Sequence, residues 1–217
     1  MRHLQIPAFA ILLLSVSVQP GGAQQTTLFN TNPFAGSTAL TTPGRQVVGN
    51  EPSLAFNIAT DVLAFERSVF NMGTTISFAN GLASAIPSTG LNAVVLQSFD
   101  NDGDSGTPFG AGNAANLLAA QITSPGAGLF VYFNSGLDLA RLVYSTDLSD
   151  NTADLKVLAR FTNLSGQSGR DAFPSFTSDN FALVTTVPEP SSMLMAALGL
   201  TALLGVRLVR GNRARRR

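Results

Sequence analysis

The sequence predicts an all-β exported domain, a β-sandwich or jelly-roll with one short helix, flanked by a signal peptide and a C-terminal transmembrane helix. Many short apolar runs alternate with polar residues, and turn residues separate these runs about every eight to twelve positions. Within residues 24–187, only one segment, residues 114–122, has the alanine and leucine content of a helix. The chain of 217 residues therefore divides into residues 1–23, 24–187 and 188–217.

The N-terminal residues have the three parts of a secretory signal peptide. Arg2 and His3 form a basic start, residues 6–18 form an apolar stretch, and Gly21-Gly22-Ala23 supplies the small residues that signal peptidase requires. We expect cleavage after Ala23, with the secretion machinery as a partner. An uncleaved membrane anchor is the alternative, although the apolar stretch is short for a membrane span.

Composition limits what the exported part does. It contains no cysteine, so a hydrophobic core must hold it together without disulfides. Residues 24–187 carry six basic and twelve acidic side chains, a formal charge of −6. A negative domain of this kind argues against nucleic acid as a partner.

The first half of the domain shows mostly strand patterns. Residues 24–49 are rich in Thr, Asn, Pro and Gly and predict an irregular lead-in with one short strand. Residues 54–65 alternate apolar and polar positions and predict a half-buried strand, and residues 69–70 and 74–78 continue this pattern on either side of a turn. Residues 91–99 form the clearest buried strand. The glycines and asparagines between these segments are typical turn residues.

The second half begins with the predicted helix, which Asn113 caps. Residues 129–133 and 137–144 predict two strands of a hairpin, joined by Asn134-Ser135-Gly136. Residues 152–161 alternate again, residues 161–171 predict a glycine-rich loop, and residues 181–187 predict a last strand.

The C-terminal segment contains three features in a fixed order. It begins with Val187-Pro188-Glu189-Pro190-Ser191-Ser192, and an apolar run follows from residue 193 to residue 206. Residues 191–206 would span about 24 Å as a helix. The stems of Arg207 and Arg210 snorkel, which extends the predicted transmembrane helix to residues 191–209. The arginines of the tail, residues 207–217, form a stop-transfer signal that stays in the cytoplasm. They are Arg207, Arg210, Arg213, Arg215, Arg216 and Arg217.

Two other interpretations of this segment stay open. One is a buried core helix with a basic tail, although the run lacks the polar face of such a helix. The other is nucleic-acid binding by the arginines, which would require a cytosolic protein.

The proline pair adds specificity to the prediction. Pro188 and Pro190 keep Glu189 extended, as a processing enzyme requires of its substrate. The motif, the apolar run and the arginine-rich end resemble the PEP-CTERM sorting signal of Gram-negative bacteria. The resemblance implies recognition at Pro188, Glu189 and Pro190 by exosortase, a membrane transpeptidase or protease, with cleavage nearby. It also implies an inner-membrane-anchored precursor whose exported domain passes to the cell surface or the extracellular matrix. Such segments are also labelled after ice-binding proteins, which does not imply that this chain binds ice.

Three aspartates suggest a metal site. Asp100, Asp102 and Asp104 alternate in a glycine-rich loop, and carboxylate oxygens are ligands that calcium prefers. The EF-hand pattern fails, because Gly103 and Gly106 are misplaced and no glutamate stands at the twelfth position. The loop is therefore either a solvated acidic turn or a calcium site completed by backbone carbonyls. No other cofactor is predicted.

Catalytic residues are scarce. His3 leaves with the signal peptide and cysteine is absent, which excludes a Ser-His-Asp triad, a cysteine nucleophile and the usual zinc sites in the mature domain. A Ser-Lys pair would need Lys156, which lies in a predicted strand. A glycosidase would need two facing carboxylates. The candidates are Asp138, Asp147, Asp150 and Asp154.

The sequence thus favours a structural or adhesive surface protein, associated with the envelope or with exopolysaccharide, and not an enzyme. The first alternative is a calcium-dependent polysaccharide-binding module that uses the three aspartates. The second is a carboxylate-based hydrolase. Tryptophan, a common sugar-binding residue, is absent, and Tyr132 and Tyr144 are the only tyrosines.

Overall fold

The computed structural model describes residues 23–104 and 106–185. The strands are β1 (Thr26–Phe29), β2 (Val47–Val48), β3 (Ser53–Leu54), β4 (Val62–Glu66), β5 (Phe78–Gly81), β6 (Ala93–Leu96), β7 (Gly128–Asn134), β8 (Leu139–Ser145), β9 (Leu155–Ser165) and β10 (Phe181–Val184). The helices are α1 (Arg67–Phe70), α2 (Ala111–Ala119) and α3 (Gly166–Asp171), with single 3-10 turns at Ala83–Ala85, Phe173–Ser175 and Ser178–Asn180.

The membrane-directed segments lie outside this part of the chain. The signal peptide up to residue 22, the Pro-Glu-Pro motif, the predicted transmembrane helix and the arginine tail are not among the described residues, so those predictions stay predictions. Within residues 23–104 and 106–185, no helix has both the length and the apolar character that a membrane crossing requires.

A seven-stranded mixed sheet forms the centre of the domain. Its order is β2-β9-β8-β7-β6-β5, and β3 adds to β9 beside β2. Strands β7, β8 and β9 are antiparallel neighbours, whereas β5, β6 and β7 are parallel. Parallel neighbours need a crossover connection, and α2 supplies it between β6 and β7.

A smaller sheet joins the two ends of the described chain. Its order is β1-β4-β10, and all three strands are parallel. Leu63 at its centre pairs with Thr27 on one side and with Phe181 on the other. The first and last strands of the domain are therefore held together by β4.

Side chains on the two faces of the large sheet enter two different cores. Along β7, Leu129, Val131 and Phe133 face a core that they share with Phe65 and Phe181 of the small sheet. The alternate residues Phe130 and Tyr132 face a second core, built with the apolar side of α2. Burial on both faces explains why β6 and β7 consist of nearly continuous apolar residues.

The prediction of a mostly β domain is confirmed, and side chains from both sheets share one core. The predicted β-sandwich and jelly-roll topologies both need correction, because such folds are built from antiparallel strands and six of the eight described strand pairings are parallel. The buried strand predicted at 91–99 is confirmed at its centre as β6, and the hairpin is confirmed as β7 and β8.

Several local predictions need correction. Residues 54–65 contain the last residue of β3, a turn and most of β4, and α1 (Arg67–Phe70) includes residues 69–70, where the strand pattern was predicted to continue. The predicted glycine-rich loop at 161–171 contains the end of β9 followed by α3, so the described residues contain three short helices and not one. Asn113 does not precede α2 but lies inside it, where its Oδ1 accepts a hydrogen bond from the N–H of Gly110 at 3.3 Å.

Candidate functional site

The predicted calcium ligands lie in an exposed loop after β6. Asp100 accepts the N–H of Asp102 at 3.1 Å, Asp102 accepts that of Asp104 at 3.0 Å, and Asp104 accepts that of Gly106 at 2.9 Å. Hydrogen bonds to its carboxylate lower the pKa of Asp100, the one from the Asp102 backbone most. Each carboxylate therefore stabilises the turn that follows it. Among the described residues, no group of three or more His, Cys, Asp or Glu side chains is placed to hold a metal ion.

The four candidate hydrolase carboxylates have separate local partners. Asp154 accepts the N–H groups of Leu40 at 2.6 Å and Gln46 at 2.7 Å, and thereby fixes the lead-in to β2. The other three lie in loops. Asp147 accepts the Gly126 N–H at 3.1 Å, Asp150 accepts the Thr152 N–H at 2.7 Å, and Asp138 lies 3.7 Å from Arg170.

Lys156, the one lysine of the sequence, contacts a backbone carbonyl in the described structure and not a serine hydroxyl. Its Nζ donates to the carbonyl of Gly49 at 2.6 Å, across the edge where β2 joins β9. The ammonium group therefore supports the connection between β2 and β3.

Among the described residues, a charge cluster surrounds Glu51, which the sequence analysis did not single out. Its side chain is 1% exposed and its Oε1 accepts hydrogen bonds from two arginines, Arg141 and, at 2.6 Å, Arg160. The arginines are cross-strand neighbours on β8 and β9. Glu51 comes from the short connection between β2 and β3, so three segments meet at one carboxylate.

This cluster continues into the second core. Nη1 of Arg141 lies 3.4 Å from the hydroxyl of Tyr132, which also accepts a hydrogen bond from Asn134 at 3.0 Å. Burial opposes the ionisation of Glu51, but the hydrogen bonds from Arg160, from its own backbone and from Arg141 outweigh it, so the pKa of Glu51 is lowered. Glu51 is therefore an ionised carboxylate at neutral pH. Its second oxygen, Oε2, is buried and has no hydrogen-bond partner among the described residues.

The described chain ends beside the small sheet. Val184, the last residue of β10, pairs with Glu66 at the end of β4. Because β1, β4 and β10 are parallel, all three strands begin at one end of this sheet and finish at the other. The chain therefore enters the sheet at the first end and leaves it at the second. Ala23, the predicted cleavage position, is exposed on the entry side.

The comparisons with known proteins concern the segment that follows. Residues 186–213 match the family model of the PEP-CTERM protein-sorting motif. The match includes Pro188, Glu189, Pro190 and the arginines up to Arg213, and it begins directly after the described domain. The predicted resemblance is confirmed, and the match indicates an exported protein that exosortase recognises and sorts. Neither the curated proteins nor the solved structures contain a significant match to the chain.

Proposed function

We propose, from the sorting motif at residues 186–213, that this chain is a structural or adhesive protein of the cell envelope or extracellular matrix of a Gram-negative bacterium. In this account exosortase processes an inner-membrane-anchored precursor near Pro188, Glu189 and Pro190. The β-rich domain that precedes the motif is the part that reaches the surface. It acts there by binding, in association with exopolysaccharide, and not by catalysis.

The position of the motif match is the observation that supports this proposal most directly. The match begins at residue 186, one residue after the last described residue, Thr185. The folded domain and the sorting signal are therefore adjacent in the chain. This arrangement is expected if exosortase transfers the domain to the surface as one folded unit.

The experiment is cell fractionation of the native host. We expect the wild-type domain in the outer-membrane or extracellular fraction and a Glu189→Ala variant retained in the inner membrane. Thr185→Ala, one residue before the matched segment, is the control and should be sorted normally. The proposal fails if the wild-type protein stays in the cytosol, or if Glu189→Ala is sorted like the wild type.

A second candidate is the calcium-dependent polysaccharide-binding module. The observation in its favour is that Asp100, Asp102 and Asp104 are all exposed on one loop. Exposed carboxylates accept a cation without the cost of desolvating a buried site. This candidate requires the loop to exchange some of its own backbone hydrogen bonds for contacts to calcium.

A further inference from the structure

The chain leaves the described domain beside a surface pocket. Val184, at the end of β10, pairs with Glu66, at the end of β4, and the next residue of the chain, Thr185, lines the pocket. The pocket has a volume of about 440 Å³, and we call it the exit pocket. Its other walls come from the end of β4 and from α1 with the turn that follows it. The segment that carries the sorting motif therefore begins at this pocket.

Arg67 contributes a positive charge to the exit pocket, and the turn after α1 fixes the position of its side chain. Asn71 follows α1 in the left-handed region, at φ 50°, and its N–H donates to the carbonyl of Arg67 at 3.1 Å. Gly73, at φ 85°, then places its own carbonyl 3.2 Å from Nε of Arg67, which donates to it. This bond occupies Nε and leaves the two terminal nitrogens of the guanidinium for another partner.

Within residues 23–104 and 106–185, no carboxylate forms an ion pair with Arg67. The other charged residue of the lining is Glu66, which is only 5% exposed and whose Oε1 accepts a hydrogen bond from the hydroxyl of Ser68 at 3.1 Å. Arg67 is partly exposed. The accessible charge of the exit pocket is therefore positive, and the pocket favours an anionic group.

The segment that follows the domain carries such a group within reach. Glu189 is the only acidic residue among residues 186–217. It stands four positions after Thr185, so their Cα atoms are at most about 14 Å apart even when the chain is fully extended. The arginines of the tail begin at Arg207, beyond the predicted transmembrane helix, and are predicted to lie across the membrane from Glu189. Charge and chain length therefore both favour Arg67 as the partner of Glu189.

The tether makes a weak contact effective. An exposed ion pair contributes little by itself, because water and salt screen it. Here the two groups belong to one chain and only a few residues separate Glu189 from the pocket, which gives the carboxylate a high effective concentration beside Arg67. We expect partial docking, with effects of about twofold to fivefold when the pair is removed.

We infer that the exit pocket binds the sorting motif of its own chain through an ion pair between Arg67 and Glu189. The resemblance to the sorting signal implies that exosortase recognises Glu189, and one carboxylate cannot serve Arg67 and the enzyme at once. The docked motif is withheld from the enzyme, so the exit pocket slows processing. This inference rests on the proposed function, because it regulates the processing step of that account.

The first test is pulse-chase processing in the native host. Arg67→Gln removes the charge and keeps a donor for the Gly73 carbonyl, and we expect processing about twofold to fivefold faster than in the wild type. Arg67→Lys keeps the charge and should be processed like the wild type. Lys156→Gln is the matched control, because Lys156 also donates to a backbone carbonyl, at 2.6 Å from Gly49, but does not line the exit pocket. It should leave the rate unchanged.

The second test is disulfide trapping in the full chain, purified in detergent and oxidised with diamide. The sequence contains no cysteine, so only introduced thiols react. Thr74 is exposed and lines the exit pocket, and Val187 directly precedes the motif, so Thr74→Cys with Val187→Cys leaves both charges in place. We expect this pair to form a disulfide about twofold to fivefold more slowly when Arg67→Gln is added, and at the same rate when Lys156→Gln is added.

Either test can overturn the inference. Processing of Arg67→Gln at the wild-type rate would contradict it, and slower processing would show that the exit pocket receives the enzyme and not the motif. Equal rates of disulfide formation with and without Arg67 would also contradict it. Trapping does not involve exosortase, so its result stands even if the wild-type chain is never processed in the host, an outcome that refutes only the proposed function.

Discussion

Val184 pairs with Glu66 at the end of the small sheet where the chain leaves it, and Pro188 follows only four positions later in the chain. Four residue steps cover at most about 14 Å even when fully extended. The sorting enzyme must therefore approach the motif while a folded sheet edge lies within that distance. The close spacing leads to a prediction about processing.

A spacer between the domain and the motif should ease this approach. We expect six Gly and Ser residues inserted between Thr185 and Thr186 to increase the processed fraction at a fixed time, because the enzyme then meets less of the folded domain. A pulse-chase experiment followed by immunoblotting measures the fraction. The same spacer inserted in the exposed turn after Gly36 is the control. Slower processing with the C-terminal spacer would show that the enzyme instead requires the neighbouring domain surface.

Gly169 in α3 is required for the packing of that helix. A Cβ at this position would lie 2.4 Å from the carbonyl carbon of Leu164, a backbone atom that cannot move alone. We expect Gly169→Ala to destabilise the protein by about 1–3 kcal/mol in urea unfolding. It should also shift Arg170, whose guanidinium lies 4.6 Å from the ring centre of Phe133.

The control for this prediction is Gly112→Ala in α2. A Cβ there would have only Arg45 Nη1 within 4 Å, at an ordinary contact distance of 3.8 Å. Alanine is the better helix former, so we expect unchanged or slightly higher stability. Equal unfolding midpoints for the two variants would contradict the role assigned to Gly169.

Glu51 should make stability depend on pH. Its folded-state pKa is lowered, so the ionised form stabilises the fold above its ordinary pKa of about 4.3, and this stabilisation is lost as pH falls through the lowered value. We expect Glu51→Gln to cost about 3 kcal/mol at pH 7, since it leaves two arginines without their carboxylate. The difference from wild type should shrink at pH 3. Urea unfolding at both pH values measures it.

Asp171→Asn is the matched control for the charge change. Asp171 is exposed and its carboxylate accepts one described side-chain hydrogen bond, from Gln167 at 2.7 Å. Exposed contacts of this kind contribute little, so the variant should unfold like the wild type at both pH values. If Glu51→Gln lowers the free energy of unfolding equally at pH 7 and pH 3, then Glu51 stabilises the fold through its shape and not through its charge.

The local parts of the fold could be predicted from the sequence. The β7–β8 hairpin follows from two strand patterns around Asn134-Ser135-Gly136, and the information lies within one short segment. The parallel pairings could not be predicted in this way. β10 pairs with β4 although Leu63 and Phe181 are far apart in the chain, and no local pattern specifies which distant strand is chosen. Helix α3 was missed because its glycines resemble those of a loop.

The Glu51 cluster was missed for a similar reason. Glu51 lies among Gly, Asn and Pro residues and looks like part of a solvated turn, while its partners Arg141 and Arg160 are 90 and 109 positions away. One signal was present. Both arginines interrupt apolar strands, and a charged residue in a buried strand requires a partner of opposite charge. The sorting motif, by contrast, was found because its three parts are contiguous in the sequence.

The aspartate loop gives a prediction that separates the two candidate functions. Its carboxylates already accept backbone N–H groups, so we expect millimolar calcium to leave the melting temperature unchanged in the wild type and in Asp102→Ala alike. Differential scanning fluorimetry with calcium or with EGTA measures this. A calcium-dependent rise in melting temperature that Asp102→Ala abolishes would favour the calcium-dependent module instead.

In the proposed function, a folded domain is exported and then separated from its sorting signal. Intact mass spectrometry of the protein recovered from fractionated cells of the native host tests it most directly. We expect a mass corresponding to a chain that begins at Gln24 and ends near Pro188, Glu189 and Pro190, found in the outer or extracellular fraction. A mass that retains the apolar run and the arginines, recovered from the inner membrane, would contradict the claim.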